Sequence, residues 1–81
     1  MNDETYSNIK NGDTVVYKEG GDIINCLVKS ISYDKNLKIF GLKNISSGEI
    51  FCVSVRKNDY AYCPWRFLEG RELNEYIKRQ Q

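Results

Sequence analysis

Four short runs rich in β-branched and aromatic residues, each followed by a turn signal, constrain this chain more than any other feature. Asn11-Gly12 introduces Asp13–Lys18, and Glu19-Gly20-Gly21-Asp22 supplies glycines for a tight reversal into Ile23–Ser32. Within that second run Ile24, Cys26 and Val28 alternate as the cleaner apolar face. Tyr33-Asp34-Lys35-Asn36 turns the chain into Leu37–Asn44, where Ile39, with Leu42 as a second candidate, is expected to face inward. Gly41 interrupts this strand, as glycines do at bulges and sharp bends. Ser46-Ser47-Gly48-Glu49 then leads into Ile50–Arg56, which carries Phe51, Cys52, Val53 and Val55.

Beyond Lys57-Asn58-Asp59 the pattern changes. Tyr60–Leu68 is aromatic-rich and holds Pro64, the only proline, so a short edge strand or one helical turn is expected there. From Glu69 to Gln81, Leu73, Tyr76 and Ile77 recur at helical spacing among charged residues, with Lys78 and Arg79 near the end where cations suit the helix dipole. The expectation is a mainly β domain spanning residues 1–81: a barrel of four to five antiparallel strands over 9–68 with a C-terminal helix over 69–81. The polar stretch 1–8 reads as a flexible tail, with Tyr6 and Ile9 able to lie against the domain edge.

At 81 residues there is room for a single core. Twelve basic and eleven acidic side chains are interspersed, so the chain lacks the basic excess with which a protein grips duplex DNA through its phosphates. Three cysteines, Cys26, Cys52 and Cys63, without paired spacing and without any histidine, fall short of a structural zinc site and read as small buried hydrophobes in a reducing compartment. No apolar stretch approaches a membrane span or a signal sequence, and a cytoplasmic location is expected.

The order of features from Gly12 to about Val55 resembles SH3-like barrels of the Tudor and KOW type. Gly12-Asp13-Thr14-Val15 stands at the opening, Gly20-Gly21 at the first turn, and Ile24, Cys26, Val28 and Ile31 at steps of two, two and three. Asp34 precedes the third strand, as in Tudor-like sequences. Physically, the step of three marks a bulge where a strand passes around a narrow barrel. The resemblance implies a fold that binds nucleic acids, ribosomal partners or polymerases. Tudor domains that read methylated side chains resemble one another in an aromatic cage. Here Ile23 follows the first turn and Asn44-Ile45 stand where a Tyr-Gly pair would fall, so the resemblance does not extend to methyl-ammonium capture.

Catalysis has little to draw on. With no histidine, and no cysteine or serine beside an evident base, the chain is expected not to be an enzyme and to need no cofactor. Gly20-Gly21 lacks the following lysine of a phosphate-binding loop. The candidate binding residues are Tyr60, Tyr62, Trp65 and Arg66, with Arg56 and Lys57 just upstream, because Tyr, Trp and Arg dominate interface hot spots and also stack on exposed bases. The competing structural reading makes Trp65 and Phe67 the plug that closes the barrel against the final helix. Balanced charge favours a protein partner, met through an exposed strand edge and this segment. The initial methionine is consistent with a free-standing phage or mobile-element inhibitor of a host enzyme. Single-stranded nucleic acid is the alternative partner, and a nucleotide or small ligand held by an oligomer is a further one.

Overall fold

The computed structural model describes residues 3–56 and 63–80. In chain order these form α1 (Asp3–Asn8), β1 (Thr14–Glu19), β2 (Asp22–Asp34), β3 (Leu37–Asn44), β4 (Ile50–Arg56), β5 (Trp65–Phe67) and α2 (Gly70–Arg79). The strands make one antiparallel five-stranded sheet in the order β4-β3-β2-β1-β5. Strands 1 to 4 are a meander built on the tight turns read from the sequence, and β5 returns to pair with β1. The fold is therefore mainly β with a short C-terminal helix. The ladder is not closed into a barrel: among the described residues no β4–β5 pairing joins the two outer strands.

A change of register between Val28 and Ser30 lies within the step of three in β2. It allows Cys26, Val28 and Ile31 all to reach the concave side despite the uneven spacing. Gly41 pairs with Ser30 just past this bulge, and a Cβ there would overlap the Ser30 hydroxyl. The overlap is with the end of the Ser30 side chain alone, since the Ser30 backbone stands at ordinary contact distance, 3.7 Å.

Inward residues of β3 are Lys38, Phe40 and Leu42, which corrects the expectation for Ile39; that residue is half-buried on the outer side. Alternation leaves no other arrangement once Leu42 points in, since residues three apart lie on opposite faces of a regular strand. The lysine concealed this parity. Lys38 is only 8% exposed, and its ammonium sits 5.2 Å from the centre of the Phe40 ring and 5.7 Å from that of Tyr33. It also donates a hydrogen bond to the Tyr6 carbonyl, near the C-terminal end of α1, where the helix dipole favours a cation.

Residues 3–8, expected as a tail, are helical, and Tyr6 is fully buried. Its ring packs at 5.8 Å from Trp65, 6.2 Å from Phe40 and 6.3 Å from Phe67. With Tyr17 these form one aromatic cluster, in which Trp65 and Phe67 stand 5.1 Å apart. The turn after α1 is fastened to β2, because Gly12 N–H donates to the Val28 carbonyl at 2.8 Å and Val28 N–H donates to that of Asp13 at 2.9 Å. Tyr6 is thus held in the core from both sides of the linker.

Removing a buried aromatic ring costs about 3–5 kcal/mol when the space cannot collapse. Tyr6→Ala should therefore lower the stability of the full chain by about 3 kcal/mol in urea unfolding, with Trp65 emission shifting to the red in the folded state. A loss below about 0.5 kcal/mol, typical of a surface position, would show that α1 is not part of the core.

Candidate functional site

The sequence points to a surface made by the end of β4 and the segment leading into β5. Lys57, Tyr60 and Tyr62 lie outside the described residues; the other candidates divide between core, helix tether and free surface. Trp65 belongs to the core, only 5% exposed, so of its two readings, core plug and surface anchor, it takes the buried one. β5 is an edge strand of three residues paired with β1, and its alternation sends Trp65 and Phe67 inward and Arg66 outward. The Trp65 indole N–H donates to the Ser54 carbonyl at 3.3 Å. This bond reaches from β5 to β4, so the curl of the sheet brings its two outer strands together through a side chain.

Arg66 is engaged with α2. Its Nη2 and Nε donate to the two carboxylate oxygens of Glu72 at 2.6 and 3.2 Å, and Lys18 Nζ lies 3.8 Å from the same carboxylate. Hydrogen bonding from Arg66 holds the Glu72 carboxyl below its ordinary range, and the same bond raises the Arg66 guanidinium. On the sheet side, the Tyr76 hydroxyl donates to the Asn25 side chain at 3.3 Å. These polar contacts tether α2 over the outer face of β1 and β2, since none of its residues is fully buried. Between helix and sheet lies an open cleft of about 250 Å³ lined by Lys18, Ile23, Leu68, Glu72 and Tyr76, among others. Its charges are mixed in sign.

Arg56 remains exposed at the end of β4. Asn44 N–H donates to the Glu49 carbonyl at 2.8 Å, where β3 hands over to β4. In an antiparallel ladder the hydrogen-bonded positions alternate, so Phe51, Val53 and Val55 turn their backbone groups toward β3 while Ile50, Cys52, Ser54 and Arg56 turn theirs away. The Trp65 bond to Ser54 fits this parity. Side chains follow the same alternation. Val55 is buried and Phe51 and Val53 half-buried against the core, whereas Ile50, Cys52, Ser54 and Arg56 are exposed on the outer side. Ile50, at 63% exposure, is one of the most open large apolar residues described. This outer edge of β4, with which no strand pairs among the described residues, is a feature that sequence spacing does not specify residue by residue.

The thiols have separate environments. Cys26 is buried and its thiol is pushed up to about 11 by that burial, Cys63 is half-buried, and Cys52 is exposed, which departs from the expectation of three buried thiols; all three are free. Burial and the neighbouring Glu19 carboxylate push the Tyr17 phenol up to about 12. Among the described residues no group of three or more Cys, Asp or Glu is placed to hold a metal ion, and no helix is long and apolar enough to cross a membrane. Comparison with protein-family models, curated proteins and solved structures finds no match to this chain.

Because the Glu72 carboxyl is held below its ordinary range, the stabilisation from its ion pairs is full above the unfolded-state value and is lost as pH falls through the lowered one. Both partners are substantially exposed, so the effect is screened: Glu72→Gln should cost at most about 1 kcal/mol at pH 7. Thermal unfolding of wild type and variant should differ at pH 7 and converge at acid pH. A gap that persists below the titration of Glu72 would place its contribution elsewhere.

Proposed function

We propose that this chain is a non-catalytic binding module on an SH3-like scaffold of the Tudor and KOW type, acting in the cytoplasm, and that its partner is a protein met along β4 and the adjoining segment through Tyr62. Support for the scaffold comes from the meander of four strands, the bulge in β2 and the return of β5 to β1. The curl that brings Trp65 to Ser54 adds to it. Free thiols suit a reducing compartment.

The observation that carries the reading is the outer edge of β4, with which no strand pairs among the described residues and where Ile50 is exposed in a domain small enough to need its apolar residues inside. Natural edge strands are usually short, charged or covered, and one that presents Ile50, Cys52 and Ser54 beside a single arginine fits a docking strand. A role as an inhibitor of a host enzyme, of the kind small phage or mobile-element proteins play, suits a surface that binds without reacting. With Trp65 in the core, binding of single-stranded nucleic acid would lose its strongest stacking ring.

The test is affinity capture on the immobilised full chain from an extract of its own source, with nuclease added to half of the sample. A discrete protein should be retained by wild type regardless of nuclease and reduced at least tenfold by Ile50→Asp, which leaves the melting temperature within a few degrees because the side chain is exposed. Retention that disappears with nuclease, or no retained protein, would remove the proposal.

A further inference from the structure

We propose that the β4 edge recognises an extended acidic-apolar segment of its partner, which adds to the sheet as a sixth strand. The proposal rests on the protein-binding reading above and gives that partner a chemistry. Three observations carry it.

First, the hydrogen-bonding groups are in place. The backbone of Ile50, Cys52 and Arg56 faces away from β3, as does Ser54 N–H, and among the described residues no strand pairs with them, while the Ser54 carbonyl is taken by Trp65. A strand laid on this edge finds donors and acceptors at alternate residues, and main-chain pairing of this kind supplies affinity whatever the side chains. The indole bond falls within the site, between Cys52 and Arg56, so an incoming strand that reaches Arg56 must share or forgo that carbonyl.

Second, the side chains along the edge give a pattern. On the outer face Ile50 pairs with Lys43 on β3 and Arg56 with Leu37. Lys43 and Arg56 therefore border the two ends of β4, roughly 20 Å apart at the usual rise of an antiparallel strand. Neither forms an ion pair among the described residues. Glu49, the nearest carboxylate in sequence, falls on the other parity of the strand. A segment with acidic residues toward both ends and apolar residues between them, over Ile50 and Cys52, matches this surface.

Third, the same charges argue against a second copy of this chain as the occupant. In a two-fold antiparallel β4 pair, outward-facing residues must meet outward-facing residues, and the register of fullest overlap brings Arg56 opposite Ile50 of the second copy. Arg56 then lies within about two strand spacings, roughly 10 Å, of Lys43 in that copy. Symmetry repeats the like-charge approach at the other end. An acidic strand reverses the sign of both encounters.

The experiment selects a displayed library of random ten-residue peptides against the full-length chain. The expected result is enrichment of peptides that alternate apolar residues and carry Asp or Glu. Methylating alternate backbone amides of an enriched peptide should weaken it at least tenfold, and the complementary set much less. Arg56→Glu should weaken the acidic peptides at least fivefold and, on reselection, favour Lys or Arg in their place. Enrichment of peptides without acidic residues, indifference to amide methylation, or no enrichment would overturn the proposal. So would a concentration-dependent dimer that oxidation traps through Cys52, which would make the occupant a second copy. A captured protein that is sensitive to Ile50→Asp but indifferent to Arg56→Glu would leave the protein-binding reading standing and sink acidic-strand recognition alone.

Discussion

The constraint on which the structure depends is that one small core must be filled from almost every element of the chain. Tyr6 comes from α1, Tyr17 from β1, Phe40 from β3, and Trp65 and Phe67 from β5. Their rings meet mostly at tilted or edge-on angles, the geometry that aromatic pairs prefer. A domain of this size exposes a large share of its surface, so it cannot reserve its indole for a partner without weakening itself. Burial of Trp65 follows from that scarcity, and so does the recruitment of Tyr6 from a helix of only six residues. Such a helix is far too short to persist in water alone; its place depends on the ring it delivers and on the Lys38 ammonium that bonds its last turn.

That economy shapes what is left for binding. With Tyr6, Tyr17, Phe40, Trp65 and Phe67 used inside and Arg66 tied to Glu72, the described surface keeps Tyr33 as an exposed ring and otherwise offers backbone edge and a few side chains. The β4 edge combines Ile50 and Arg56 with main-chain groups that, the Ser54 carbonyl apart, no strand pairs among the described residues. One hydrogen bond from Trp65 to Ser54 links this edge to the core. Occupation of the edge would therefore be felt at the indole.

Much of the architecture was legible in the residues. Glycine-bearing turns and β-branched runs located β1 to β4, and the uneven spacing from Val28 to Ile31 marked the bulge that the pairing contains. The helical spacing of Leu73, Tyr76 and Ile77 marked α2, though its apolar stripe is only partly covered. Other features were hidden for physical reasons. α1 reads Asp-Glu-Thr-Tyr-Ser-Asn, with one large apolar residue and no period, so only tertiary packing reveals it. Lys38 occupies an inward position because a nearby carbonyl and two rings receive its ammonium, and its charge masked the parity of β3. Of the candidate binding residues that are described, Arg56 stands exposed at the end of β4, while Trp65 went to the core and Arg66 to the tether of α2. Which edge stays open depends on the long-range pairing of β5 with β1, and sequence spacing does not encode it.

Residue-resolved amide hydrogen exchange of the isolated protein at low concentration tests the central claim most directly, because it reads which backbone groups of β4 are paired. The account requires slow exchange at Phe51, Val53 and Val55, which bond to β3, and fast exchange at Ile50, Cys52 and Ser54, which face outward. Uniform protection along β4 would mean that its edge is already covered and would contradict the account.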